Sequence, residues 1–176
     1  MRESPRAARL VLQLSDMMRY SLYETSKPYV LVNKEIIFIR NYLVLEQLRS
    51  SGRVRMTSQI DDDMEGQLVI APFLLIPFVE NAFKHGVHAT RQLSWVRVIL
   101  QVKQGQLQVE VTNSKPVDGL PIAERGIGLQ NVRKRLDALY PGAHQLVVDD
   151  QLAQYTVKLT IVLVTGWKNN SFNDFS

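Results

Sequence analysis

The sequence contains no cysteine, which excludes disulfides, thiolate metal sites and a cysteine nucleophile and fits an intracellular compartment. Histidine is scarce: His85, His88 and His144 are the whole complement. No long apolar run is present. The longest, LVIAPFLLIPFV at residues 68–79, carries two prolines and falls short of the roughly 20 residues a spanning helix needs. The opening MRESPRAARL lacks the apolar stretch of a secretory signal. The chain therefore reads as soluble, although it could be a portion cut from a membrane protein. A net charge of +4 is too weak to indicate a nucleic-acid binder, while it suits an anionic ligand.

What is present is a foldable composition. The 176 residues are 45% hydrophobic and 22% charged, enough for one domain with a real core plus a small appendage. Two helices are expected first. Residues 8–24 place Leu10, Leu14, Met17, Met18 and Leu22 three and four apart. After a linker at 25–30, apolar residues over 33–49 cover more than one face, so this second helix is expected to pack against two partners.

From Arg53 the period changes. A strand is expected over 53–60, then an acidic loop at 61–67. Pro72 suits the first turn of the next helix, and Pro77 demands a late start or a kink. Residues 94–103 and 106–113 alternate with period two around Gln104-Gly105, a hairpin signal. A loop at 114–127, a helix at 128–139 stopped by Tyr140-Pro141-Gly142, and a hairpin of strands 144–149 and 153–164 complete the chain before a polar tail. Hairpin strands with helices on one face predict an α+β two-layer sandwich rather than a parallel doubly wound sheet.

Three stretches carry chemistry. In PFVENAFKHG, residues 77–86, helical spacing puts Asn81, Lys84 and His85 on one face while Phe78, Val79, Ala82 and Phe83 turn inward. An amide oxygen can ligate magnesium, and an ammonium can neutralise phosphate. The same basic pair also suits the negative end of a helix before a Gly86 cap, and the residues alone leave both readings open. Next, Leu107, Val109, Val111 and Asn113 share a strand face, so Asn113 projects from the buried side. It could pair with the edge of a base or cap its own turn. Last, RGIGLQNVRKRL, residues 125–136, opens a helix with Gly126 and Gly128, which lets backbone N–H groups approach an anion. A lone GxG is weak evidence by itself. Arg133, Lys134 and Arg135 read as a solvated basic face, with Arg135 alternatively directed toward phosphates.

The order of these three elements resembles the ATP-binding domain shared by gyrase, heat-shock chaperones, histidine kinases and MutL, the Bergerat or GHKL fold. Within it, the chain is most similar to sensor histidine kinases of the LytS/YehU-like group. LSDMMRYSLYE (14–24) and EIIFIRNYLVLEQLR (35–49) look like the segments that follow the phosphoacceptor motif there.

The resemblance implies roles. Asn81 would ligate the Mg2+ that bridges the ATP phosphates, and Glu80 would orient water or metal. Lys84 would touch phosphate, and His85 would lie near the nucleotide. Asn113 would read adenine. Gly126, Ile127 and Gly128 would close over the phosphates, with Leu129 and Asn131 opening the helix behind, and 114–127 would be a short mobile lid. It further implies residues 1–50 as a remnant of the helical dimerisation and phosphoacceptor region, 51–165 as the ATP-binding catalytic domain, and 166–176 as a disordered tail. The parent would be a homodimeric kinase anchored in the inner membrane, with this portion cytoplasmic and making no direct contact with membrane or nucleic acid. Phosphate would pass to a histidine upstream and on to a response regulator receiver domain.

Two departures matter. Relatives use an aspartate in a D-x-G motif where this chain has Asn113-Ser114-Lys115, and an asparagine where it has Pro77. Both imply weaker or less selective nucleotide binding. Since no histidine of the chain matches the acceptor motif, the portion by itself is expected to bind nucleotide without autophosphorylating. Two alternatives accompany this reading: an ATP-hydrolysing conformational switch, and a degenerate module that only dimerises.

Overall fold

A computed structural model describes residues 5–50, 52–61, 67–88, 90, 92–116 and 127–165. Helix α1 (Pro5–Tyr23) is followed by strand β1 (Val30–Leu31) and helix α2 (Val32–Arg49). Then come β2 (Val54–Ile60), β3 (Leu68–Ile70), helix α3 (Ile76–Ala82) with a π-helical turn (Phe83–Val87), and the hairpin β4 (Ser94–Lys103) and β5 (Gln106–Ser114). Helix α4 (Ile127–Leu139) and strands β6 (His144–Asp150), β7 (Gln154–Val162) and β8 (Val164–Thr165) complete the described fold.

Five strands form the main sheet in the order β2-β4-β5-β7-β6, antiparallel throughout except for the parallel pair β2–β4. The alternation read from β4 and β5 is realised in the burial. Val96, Val98, Leu100, Leu107, Val109 and Val111 are all at most 4% exposed and line one face. The other face is charged, with Glu110 accepting from Arg97 at 2.7 Å and Lys158 at 3.2 Å. Gln104 and Gly105 both take positive φ, 51° and 74°, the twist that a two-residue hairpin requires.

Helices α2, α3 and α4 cover the apolar face. Ile36, Ile39 and Leu43 of α2, Phe78 and Val79 of α3, and Val132 and Leu136 of α4 join the sheet residues in one hydrophobic cluster. The expected two-layer sandwich is therefore the observed architecture. As expected from its broad apolar surface, α2 packs against α1 as well as against the α/β layer.

Several expectations need correction. Pro72 starts no helix: it sits in a turn, because 68–79 divides into strand β3, a turn and helix α3. The reason is pairing. Strand β3 lies between β1 and β8 in a second sheet of three short strands, which also draws in the end of the linker and splits the last expected strand after Val162. Pro77 does mark a late start, falling in the first turn of α3, where its missing N–H is harmless. Most of the acidic loop, most of the segment 114–127 including Gly126, and the tail 166–176 lie outside the described residues.

Candidate nucleotide-binding site

Helix α3 is short, and its polar face is set by what it must bury. Phe78, Val79, Ala82 and Phe83 are each 2% exposed or less, which directs Glu80, Asn81 and Lys84 away from the core. The chain then widens into the π-helical turn, closed by His88 N donating to Phe83 O at 2.8 Å. Such turns insert one extra residue into a helix and recur at functional sites.

Gly86 lies inside that turn and is not the expected helix cap. It keeps helical dihedrals and has no positive φ. Its glycine character answers a steric demand instead. A Cβ there would stand 2.4 Å from Asn113 Nδ2, 2.8 Å from Asn113 Cγ and 2.9 Å from Asn113 Cβ. Asn113 is 2% exposed at the end of β5, and its Nδ2 donates to Ser114 O at 2.9 Å. The side chain thus satisfies a neighbouring carbonyl, as the turn reading anticipated, while remaining on the buried face.

Around this contact a cavity of about 220 Å³ opens, lined by Asn81, His85, Asn113, Lys115, Leu129, Val148, Asp150 and Tyr155. Four of the sequence-derived candidates meet here: Asn81, His85, Asn113 and Leu129. Asn81 and His85 also border a wider cleft of about 550 Å³ between α3 and α2, where Glu80, Lys84 and Gly128 join them. A Cβ on Gly128 would meet nothing within 4 Å among the described residues, so packing there does not require glycine. Asn131 is exposed on α4 and is not part of either lining. Ile127 begins α4, its side chain outside the described set, and Gly126 lies outside it altogether.

The electrostatics of the wider cleft come from both sides. Glu46 of α2 is 6% exposed and is met by His88 Nε2 at 3.0 Å and Arg49 Nη1 at 3.5 Å. Partial desolvation and the nearby Glu46 charge push the Glu80 carboxyl above its ordinary range. Burial, then Glu46 and Glu80, raise the Tyr42 hydroxyl in the same way. The cleft therefore presents Glu46 with Arg49 on its α2 side, and Glu80 together with the Asn81–Lys84–His85 set on its α3 side.

Sequence reasoning missed Lys115, Val148, Asp150 and Tyr155 as lining residues. Tyr155 stands opposite Asn113 on one side and opposite Asp150 on the other. Lys115 Nζ donates to Asp150 Oδ1 at 2.6 Å and to Gln151 O at 2.8 Å, bracing the cavity rim. Nothing local in the sequence announces that β7 inserts between β5 and β6. The expectation for Arg135 is also corrected: it is half-buried, and it donates to Phe73 O at 3.3 Å and Pro72 O at 2.9 Å instead of facing solvent or a phosphate.

The fold can be set beside solved structures. The histidine kinase domain of the blue-light-activated kinase from Erythrobacter litoralis superposes with a TM-score of 0.56 at 18% identity, covering 92% of this chain and 76% of that one. The kinase ThkA, solved in complex with a response regulator protein, superposes with a TM-score of 0.51 at 16% identity, over 89% of this chain and 48% of that one. The fold is that of histidine kinase catalytic domains. A family model described as Histidine kinase matches residues 1–54. The Sensor protein LytS of Staphylococcus epidermidis is 28% identical over 184 residues, 98% of this chain and 31% of that protein. The chain is a relative of the LytS-like sensor histidine kinases, and it spans about a quarter to a third of the length of the LytS proteins it matches.

Proposed function

We propose that this chain is the ATP-binding catalytic portion of a two-component sensor histidine kinase. When bound, Mg-ATP supplies the phosphoryl group to be transferred. The single observation that carries the reading is the convergence of Asn81 and His85 with Asn113, which is distant from them in sequence, on one cavity across the Gly86 contact.

The residues present suit the ligand. Asn113, kept against the cavity by Gly86, offers an amide to a base edge, with Leu129, Val148 and Tyr155 providing apolar and aromatic surface around it. Asn81, shared by the cavity and the cleft, would ligate Mg2+ through its amide oxygen. Lys84 contributes positive charge on the cleft side, and Gly128 leaves the start of α4 open for close approach of phosphate oxygens. Glu80 supplies a carboxylate beside them. Catalysis in this arrangement is positioning plus charge neutralisation.

The phosphoacceptor is a histidine outside these residues. His85 belongs to the cavity, His88 meets Glu46 at 3.0 Å, and His144 Nδ1 lies 2.8 Å from Tyr140 O with Nε2 3.4 Å from Asp137. The relay then continues to an aspartate on a response regulator receiver domain, the kind of partner found with ThkA. Residues 1–50 would serve the helical region and 51–165 the catalytic domain. On α1, Val11, Leu12, Leu14, Met18 and Leu22 are each at least 50% exposed, which supports pairing with a second copy in a homodimeric parent. No helix among the described residues is long and apolar enough to cross a membrane, so anchoring of the parent would come from elsewhere.

Labelling with γ-labelled ATP tests the assignment. The chain alone is expected to stay unlabelled, and a protein joining it to a LytS-type phosphoacceptor segment is expected to label. Equal self-labelling of the chain alone would contradict the external acceptor.

A further inference from the structure

Residues 71–75, the turn that enters α3, are held from two directions. Phe73 has φ of +54°, a left-handed conformation that a bulky residue keeps only where its surroundings impose it. Those surroundings are specific. Glu35 of α2, 1% exposed, accepts from Phe73 N at 2.6 Å and from Leu75 N at 3.4 Å. Tyr20 of α1 donates its hydroxyl to the same carboxyl group. The rings of Tyr20, Phe38 and Phe73 close a triangle with centroids 5.0, 5.3 and 5.1 Å apart.

The carbonyls of the same turn are taken from the opposite side. Arg135 of α4 donates to Pro72 O and Phe73 O, and Ala71 N donates to the Tyr140 hydroxyl at 2.8 Å just after that helix. Arg135 and Gly128 are two helical turns apart on α4 and so share a face. Asn81 sits on the helix that starts at Ile76, directly after the clamped turn. A shift of the turn must carry α3, because a packed helix moves as a unit.

We propose that Glu35 and Arg135 form a two-sided clamp on residues 71–75 that sets the placement of Asn81, and that this turn couples the α1–α2 helices to nucleotide binding. Glu35 is then a positioning residue: it touches no ligand and acts through the backbone of Phe73 and Leu75. By linkage, what the helices do to nucleotide affinity, nucleotide does to the packing of the helices. The inference rests on the nucleotide reading above.

The test uses Glu35→Gln, Arg135→Gln and their double variant. Glutamine at 35 turns an amide N–H toward a backbone N–H, breaking one acceptor contact at nearly constant volume. Calorimetry reads binding of AMP-PNP with Mg2+, and amide hydrogen exchange reads residues 73–83 without nucleotide. Each single variant is expected to weaken binding about tenfold, with a double variant no worse than about the weaker single, since both act through one turn. Exchange at 73–83 should quicken while β4 and β5 stay protected, and Arg135→Lys should restore part of both effects. Should Glu35→Gln fail to fold, Arg135→Gln with the Arg135→Lys rescue decides the matter. Unchanged exchange at 73–83 in folded variants, or losses that multiply in the double, would overturn the clamp. If the wild-type chain binds no nucleotide, the nucleotide reading and the coupling to it fall, while the exchange result still decides the clamp itself.

Discussion

Gly86 and Asn113 occupy one space: the α3 end can lie over the tip of β5 only because position 86 has no side chain. A methyl group there would stand 2.4 Å from Asn113 Nδ2, well inside contact distance. The glycine that closes PFVENAFKHG thus serves the approach of two elements, and that approach forms the cavity.

Gly86→Ala should act on both the fold and the site. Either Asn113 or the π-helical turn must shift, so overpacking is expected to cost about 1–3 kcal/mol by urea denaturation. Displacement of Asn113 should also reduce nucleotide affinity at least about tenfold, a loss of roughly 1.4 kcal/mol. A variant as stable and as tight as wild type would show that the contact is soft.

Tyr140 tests the wall between α4 and the small sheet. Burial pushes its hydroxyl up to about 12, while the Ala71 N–H it accepts opposes that rise. Tyr140→Phe keeps the ring and leaves the Ala71 N–H without this acceptor at 1% exposure. The expected loss is about 1–3 kcal/mol in denaturation.

Glu35 predicts a pH dependence with a definite sign. Burial raises its carboxyl above the ordinary 4.5, only partly opposed by the Tyr20 hydroxyl and the Phe73 and Leu75 N–H groups. The folded state therefore holds the proton to higher pH than the unfolded chain does. Its contribution is full below pH 4.5 and is lost as pH rises through the raised value. Stability of wild type relative to Glu35→Gln should fall across that window in urea titrations at a series of pH values. Parallel curves for the two proteins would contradict the assignment.

Much of this was legible along the chain because its physics is local. Period-two alternation in β4 and β5, Gln104-Gly105 between them, and the inward set Phe78, Val79, Ala82 and Phe83 all follow from neighbours in sequence. The motif around Asn81 pointed to the polar helix face that borders the cavity and the cleft. What escaped depends on pairing over distance. Strand β3 could not be separated from the helix that follows, since a short apolar run suits either and only its partners β1 and β8 decide. Tyr155 and Asp150 reach the cavity through the β5-β7-β6 order, and Arg135 finds carbonyls 62 and 63 residues away. Gly86 carried a signal, but glycine at a helix end suggests a cap before it suggests an approaching strand.

The central claim is that Asn81 holds the metal of a bound Mg-nucleotide. Calorimetric titration of the chain with AMP-PNP, with and without Mg2+, alongside Asn81→Ala tests it most directly. Asn81 is only partly buried, so the substitution should leave stability within about 0.5 kcal/mol. The account predicts magnesium-dependent binding in wild type and loss of that dependence in Asn81→Ala. No binding by wild type at millimolar nucleotide, or the same magnesium dependence in both proteins, would contradict it.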